Sequence, residues 1–159
     1  MKKITIIDGQ GGRMGKALIE HLKREFPDQE LLAVGTNSIA TAAMLKAGAD
    51  YGATGENPVL VAARDSDIII GPIGIVIADS LFGEVTPAMA AAVGRSHASQ
   101  ILMPNRFVSF FNQGTENPKM LRYLRAEPTP KRQILSLAFG GLFNLSSMPQ
   151  RFFFIFTYS

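Results

Sequence analysis

Residues 3–22 have the sequence K-I-T-I-I-D-G-Q-G-G-R-M-G-K-A-L-I-E-H-L, and the predicted architecture follows from them. Residues 3–8 are apolar and β-branched, as expected of a parallel strand buried on both faces. Four of the next seven residues are glycine, and Leu18, Ile19 and Leu22 then share one face of a helix. A phosphate can approach the backbone where side chains are missing, and a helix N-terminus attracts its charge. The segment therefore predicts a strand, a phosphate-binding turn and a helix.

The spacing of the glycines departs from the usual dinucleotide pattern. G-x-G-x-x-G would need glycine at position 14, where this chain has Met14, whereas glycines 9, 12 and 15 fit G-x-x-G-x-x-G. We interpret the turn as a site for a nucleotide or a dinucleotide such as NAD(P). We expect a side chain at Gly12 to enter the phosphate space, and it could also force the backbone out of a glycine-only conformation. The alternative is that the glycines only let the helix pack closely on the sheet.

Strand-like and helix-like segments alternate through residue 104. This order predicts an α/β fold, a three-layer Rossmann-like doubly wound parallel sheet of about five strands. Two helix starts are predicted from caps, one at Asn57 with Pro58 first in the helix, the other at Thr86 with Pro87 first. Three loops should meet at the carboxyl edge of the sheet, where ligands bind in such folds: 8–15, 35–38 and 71–80.

The loop after the second strand, Gly35-Thr36-Asn37-Ser38, bears on cofactor choice. An acid there binds the ribose of NAD, and a nearby Arg suits the 2′-phosphate of NADP. No acid is present, so NAD selectivity should be weakened, while Thr36 and Asn37 can hydrogen-bond a ribose or a phosphate. The alternative is that Ser38 merely caps the following helix.

The loop after the fourth strand is apolar and should form a wall of the site, although its isoleucines fit the core or a homo-oligomer contact better. The predicted binding residues lie on the three loops: Gly9, Gln10, Gly11, Gly12, Arg13, Met14, Gly15, Gly35, Thr36, Asn37, Gly71, Pro72 and Ile73.

Composition divides the chain into a Rossmann-like domain at residues 1–126 and an irregular tail at 127–159. Residues 1–105 carry nine Lys or Arg and eleven Asp or Glu, whereas residues 106–159 carry seven and two, with nine of the eleven phenylalanines. The tail phenylalanines cluster instead of alternating with basic residues, which argues against nucleic-acid binding. No apolar run is long enough to span a membrane, and no signal-peptide pattern precedes the first strand, so we expect a cytoplasmic protein.

The motifs I-D-G-Q-G-G, G-T-N-S-I-A-T-A-A-M-L-K-A-G-A, G-A-T-G-E-N, D-I-I-I-G-P-I-G-I-V-I and G-E-V-T-P-A-M-A lie within residues 1–105. They resemble a family of small, uncharacterised bacterial proteins that carries only a domain-of-unknown-function label. The resemblance implies a Rossmann-like fold and no activity. The turn G-Q-G-G-R-M-G is also similar to the nicotinamide-cofactor turn of dihydrodipicolinate reductases. Their catalytic His-His segment and lysine motif are missing, because His21 and His97 are the chain's two histidines.

Catalytic residues are not indicated by the sequence. It contains no metal-ligand spacing and no cysteine, and no Ser, His and Asp arrangement is suggested. Asp8 and Asp79 can meet in the cleft, although hydrogen bonds to their own loops are the preferred interpretation. Two function classes follow: a sensor or binding module for a nucleotide, and an NAD(P)-dependent oxidoreductase acting on a small metabolite.

Removal of residues 127–159 should preserve folding, because Pro128, Pro130 and the broken periodicity leave the tail no regular face to bury. Solubility should improve with loss of the apolar run 152–156. Circular dichroism and a melting curve of residues 1–126 measure this. Loss of cooperative unfolding would show instead that the tail completes the core.

Overall fold

The fold is a parallel sheet with helices on both faces. The computed structural model describes residues 2–103, and the predicted tail at 127–159 lies outside them, as does the predicted domain boundary at residue 126. The elements are β1 (Ile4–Asp8), α1 (Arg13–Glu25), β2 (Leu31–Gly35), α2 (Ser38–Lys46), β3 (Tyr51–Thr54), α3 (Glu56–Asp65), β4 (Ile68–Pro72), a 3-10 helix (Ile73–Val76), the short α4 (Ser80–Gly83), α5 (Pro87–Gly94) and β5 (Ser99–Met103).

The strand order is β3-β2-β1-β4-β5, and every neighbouring pair is parallel. The chain winds outward from β1 to β3 and then returns to place β4 on the other side of β1. The order therefore reverses between β1 and β4, and ligands bind at the carboxyl ends of the strands at such a position in doubly wound sheets. The predicted Rossmann-like doubly wound sheet of about five strands is confirmed.

Two apolar layers hold the helices on the sheet. Successive strand residues point to opposite faces, so Ile6 belongs to one layer and Ile7 to the other. The layer beneath α1 and α2 includes Ile6, Leu18, Ile19, Leu31, Met44, Ile68 and Ile70. The layer beneath α3 and α5 includes Ile7, Val34, Val59, Ile69, Ile75, Met89 and Val93. Apolar side chains on both faces explain why the strands are continuous hydrophobic runs.

Of the two N-caps predicted from the sequence, the structure has one at the predicted residue and the other at a different residue. Thr86 caps α5 as predicted, since its Oγ1 accepts from the Met89 N–H at 3.1 Å and Pro87 begins the helix. The prediction for Asn57 was wrong, because α3 begins at Glu56 after Gly55, which has φ of 105°. Pro58 still lies in the first turn, where a missing N–H leaves no intrahelical bond unmade.

The α2 cap also differs from the expectation. Ser38 is the first residue of α2, and Asn37 caps the helix instead, its Oδ1 accepting from the Ala40 N–H at 2.9 Å. On the other side of the sheet, Gly71 and Pro72 extend β4 and are not loop residues. A Cβ at Gly71 would meet the carbonyl oxygen of Ile7, so glycine there allows close contact with β1.

Ile69→Ala should lower the free energy of unfolding by about 2–5 kcal/mol, because the substitution leaves a cavity among fully buried neighbours. Ile69 is 0% exposed, whereas Ile39 on α2 is 70% exposed, so Ile39→Ala serves as the control with a change within about 0.5 kcal/mol. Urea denaturation measures both variants. Equal effects would contradict the assignment of Ile69 to the core.

Candidate functional site

A tight turn follows β1 at the carboxyl edge of the sheet. The Gly12 N–H donates to the Gly9 carbonyl at 2.9 Å, which closes the turn. Gln10 and Gly12 have φ of 52° and 65°, both in the left-handed region. Gly12 adopts this conformation readily, but for Gln10 it is unusual and depends on the surrounding contacts. The turn directs the chain into α1 at the carboxyl end of β1, next to β4.

The glycines of the turn have different roles. A Cβ at Gly12 would lie 2.8 Å from the Cα of Ala40 in α2, and one at Gly15 would meet Met44 and lie 3.0 Å from the Cβ of Asp8. A Cβ at Gly9 would lie 2.5 Å from Thr36 Oγ1. These three glycines permit close packing, as the alternative interpretation held.

Gly11 is different, because a Cβ there would have nothing within 4 Å. The residue is exposed, so its missing side chain leaves open space above the turn and serves no internal contact. The expectation that a Gly12 side chain would enter the phosphate space was therefore wrong: it would collide with α2. Gly11 is the position from which a side chain would enter that space.

Asp8 holds the turn from the inside. Its carboxylate is buried and accepts from the Gly9 N–H at 2.8 Å and the Gly15 N–H at 2.7 Å. Burial raises the pKa of Asp8, and the negative charge of Glu84 adds to this, while the backbone N–H donors only partly offset it. Asp8 thus accepts hydrogen bonds from its own loop, which is the interpretation that the sequence favoured over a pairing with Asp79.

Two N–H groups at the start of α1 have no acceptor in the part of the chain that the structure describes. Among the hydrogen bonds of residues 2–103, neither the Gly11 N–H nor the Arg13 N–H has an acceptor. Both residues are exposed, and the first turn of this 13-residue helix contains no acidic residue. Unpaired N–H groups and the positive end of the helix dipole favour an anion at this position. The Arg13 side chain can add its own positive charge.

Glu84 is the site residue that the sequence analysis missed. Its Oε2 accepts from the Gln10 N–H at 2.9 Å, from Thr36 Oγ1 at 2.5 Å and from Asn37 Nδ2 at 2.8 Å. Its Oε1 accepts from Gln10 Nε2 at 2.6 Å. Donors from the loops after β1 and β2 therefore converge on one carboxylate from the segment after β4.

The shape of the segment before Glu84 explains this placement. Asp79, Leu81 and Phe82 have φ of 62°, 54° and 58°, so the chain folds back on itself. The Asp79 N–H donates to the Val85 carbonyl at 2.8 Å and closes the fold-back. Left-handed conformations of non-glycine residues have no simple sequence signature. The one sequence signal that could have indicated Glu84 is its place after β4, because the segments that follow parallel strands lie at the same edge of the sheet as the glycine turn.

The surroundings of Glu84 favour the ionised form of its carboxyl group. Partial burial raises the pKa of this carboxyl, but the hydrogen bonds from Thr36, Gln10 and Asn37 together outweigh it and hold the pKa below its ordinary value. Glu84 belongs to none of the ion pairs found among the described residues. The carboxylate is therefore a negative charge held by neutral donors.

The remaining predicted site residues lie in the interior. Gly71 and Pro72 are buried in β4, and Ile73 packs partly buried against the layer beneath α3 and α5. Met14 is 4% exposed and belongs to the opposite layer. A Cβ at Gly35 would meet the Thr41 side chain and the Asn37 carbonyl, so this glycine allows α2 to approach β2. The turn, Arg13, Thr36 and Asn37 are thus the predicted residues that the structure brings to the open edge.

Two further findings concern the described part of the chain. Residues 2–103 contain no group of three or more His, Asp or Glu side chains placed to hold a metal ion. No helix in the same range is long and apolar enough to cross a membrane.

Comparison with known proteins places the chain in a family. Residues 3–126 match the family model described as Domain of unknown function (DUF3842). Among solved structures, the chain is similar to the V8 variant of an imine reductase from Myxococcus stipitatus in complex with NAD+, with 19% identity and a TM-score of 0.42. The match covers 68% of this chain and 34% of the reductase chain, so this chain spans well under half of that protein. No curated protein matches the chain significantly.

Glu84→Gln should lower the free energy of unfolding at neutral pH by about 1 kcal/mol, because partly solvated charge-assisted hydrogen bonds are lost. Since the folded-state pKa of Glu84 lies below the ordinary value of 4.5, its stabilising contribution is present above that value and is lost as the pH falls through the lowered pKa. The difference between wild type and variant should therefore shrink in acid.

Urea denaturation over a pH series measures this difference. Glu20→Gln is the matched control, because Glu20 pairs with Lys16 only through an exposed contact of 3.7 Å. Asp8 is present in both proteins, and because the Glu84 charge is one cause of its raised pKa, the comparison measures the Glu84 charge together with its effect on Asp8. A difference that stays constant into acid would contradict the role given to the Glu84 charge.

Proposed function

The chain belongs to the DUF3842 family, and since that description assigns no activity, we propose a function from the geometry of the turn. The protein binds a dinucleotide such as NAD(P) at the carboxyl edge of the sheet, with the pyrophosphate against residues 9–13. It acts as a sensor or binding module for that nucleotide.

The observation that carries this proposal is the pair of N–H groups on Gly11 and Arg13 that have no acceptor among residues 2–103, beside open space. A pyrophosphate has oxygens enough to accept from both, and the helix dipole stabilises its charge. Ordinary packing explains Gly9, Gly12 and Gly15, but it does not explain why Gly11 lacks a side chain. A ligand that must approach the backbone at Gly11 supplies that reason.

The position of the turn favours a ligand larger than a single phosphate. The turn lies where the strand order reverses, between β1 and β4. Polar groups of Thr36 and Asn37 lie on the β2 side of the turn, and the segment carrying Glu84 lies on the β4 side. In doubly wound folds a dinucleotide extends across this position, with its pyrophosphate at the helix N-terminus and a nucleoside to each side.

A thermal-shift panel with NAD, NADP, FAD, ATP and S-adenosylmethionine tests the proposal. A nicotinamide dinucleotide should raise the melting temperature, since ligand at one hundred times its Kd stabilises a protein by about 2.7 kcal/mol. No stabilisation by any of the five, well above a plausible Kd, would refute it. Oxidation or reduction of the bound cofactor with a small metabolite would instead assign the protein to the oxidoreductases.

Gly11→Val should weaken dinucleotide binding at least tenfold, or about 1.4 kcal/mol, while the protein remains folded. A Cβ at Gly11 has no protein atom within 4 Å and Gly11 lies outside the left-handed region, so we expect the valine side chain to fill the ligand space. Gly12→Ala is the contrasting variant, because its Cβ would press on Ala40 and its φ of 65° is unfavourable. It should lose stability. Isothermal titration and melting curves separate the two effects.

Tight dinucleotide binding by folded Gly11→Val would contradict the phosphate assignment. It would mean that the nucleotide binds elsewhere on the protein.

A further inference from the structure

Glu84 lies in space beside the loop after β2, and that loop has no acid of its own. The loop after β2 has Thr36 and Asn37 where dinucleotide sites often carry an Asp or Glu for the ribose. In the folded chain, Glu84 bonds both side chains, at 2.5 Å and 2.8 Å, although it is 48 residues beyond Thr36. An acid is thus present beside the end of β2, supplied by the segment after β4.

The hydrogen bonds of Glu84 leave one of its oxygens able to accept more. Oε2 accepts from the Gln10 N–H, Thr36 and Asn37, whereas Oε1 accepts from Gln10 Nε2 alone. An ionised carboxylate accepts about four hydrogen bonds in total, with two directions on each oxygen. Oε1 therefore keeps capacity for a hydroxyl donor. The contacts of Oε2 fix the position of that oxygen.

We infer that Glu84 is the residue that recognises a ribose hydroxyl, so that the protein binds nucleotides with an unphosphorylated ribose and selects NAD over NADP. This inference rests on the proposed function, because it names the ligand class of the same site. Glu84 thereby replaces the acid that is missing after β2.

Rejection of a 2′-phosphate follows from two features of the same arrangement. First, the donors that would bind that phosphate, the Gln10 N–H, Thr36 and Asn37, already donate to Glu84. Second, Glu84 lacks an ion-pair partner among residues 2–103, so its negative charge faces the phosphate unneutralised. Like charges brought together at a binding site raise the free energy of the complex. A hydroxyl group, in contrast, donates to the carboxylate and is favoured.

The inference predicts a clear order of affinities. Isothermal titration of the wild-type chain should give a Kd for NAD at least tenfold lower than for NADP. AMP and adenosine 2′,5′-bisphosphate, used as simpler probes, should show the same order in competition with NAD. This second comparison requires no substitution and holds even if variants at position 84 fold poorly.

Glu84→Gln tests the residue itself. The variant should bind NAD about tenfold more weakly, and the ratio of the two dinucleotide affinities should approach one, because the repelling charge is removed. The matched control, Glu20→Gln on the exposed face of α1, should keep the wild-type ratio. Equal binding of NAD and NADP by the wild type, or an unchanged ratio in Glu84→Gln, would overturn the role of Glu84 and leave dinucleotide binding standing. Binding of neither by the wild type would overturn the proposed function as well.

Discussion

The close approach of the α1 N-terminus to its neighbours is the constraint on which the site depends. Gly9, Gly12 and Gly15 each face a protein atom at a distance that a Cβ could not occupy without displacing it. Their missing side chains let α1 lie against α2 and the end of β1, and they let Glu84 reach the turn. With the turn held in this way, the N–H groups of Gly11 and Arg13 remain at the surface without acceptors in the described structure. The same turn thus contains three glycines that allow close packing and one, Gly11, that faces open space.

Electrostatics then divide the edge into two regions. The helix N-terminus with Arg13 is positive, whereas the Glu84 carboxylate beside the turn is negative. The pKa values of Asp8 and Glu84 are displaced in opposite directions, because Asp8 is desolvated and Glu84 is surrounded by donors. A ligand that fits both regions carries phosphate for the N–H groups and hydroxyl groups for the carboxylate. A nucleotide has this combination.

The fold could be predicted from the sequence because its signals are local. Isoleucine-rich runs such as Ile68–Ile70 indicate strands buried on both faces, and Thr86-Pro87 indicates a helix start, which the structure confirms. The Asn57 cap was wrong because Gly55, with φ of 105°, is the N-cap of α3, two residues earlier than the cap pattern indicates. Glu84 could not be predicted because its partners are 47 to 74 residues away and the fold-back that places it uses left-handed non-glycine residues. Likewise, the sequence shows four glycines in the turn but not which one faces open space.

Backbone amide chemical shifts during titration with NAD test the central claim, that the two free N–H groups of the turn receive the pyrophosphate. The Gly11 and Arg13 resonances should move most, because their N–H groups gain a charged acceptor. Those of Gly12 and Gly15 should move less, since they already donate to the Gly9 carbonyl and to Asp8. Saturable NAD binding that leaves the Gly11 and Arg13 resonances unmoved would contradict the account.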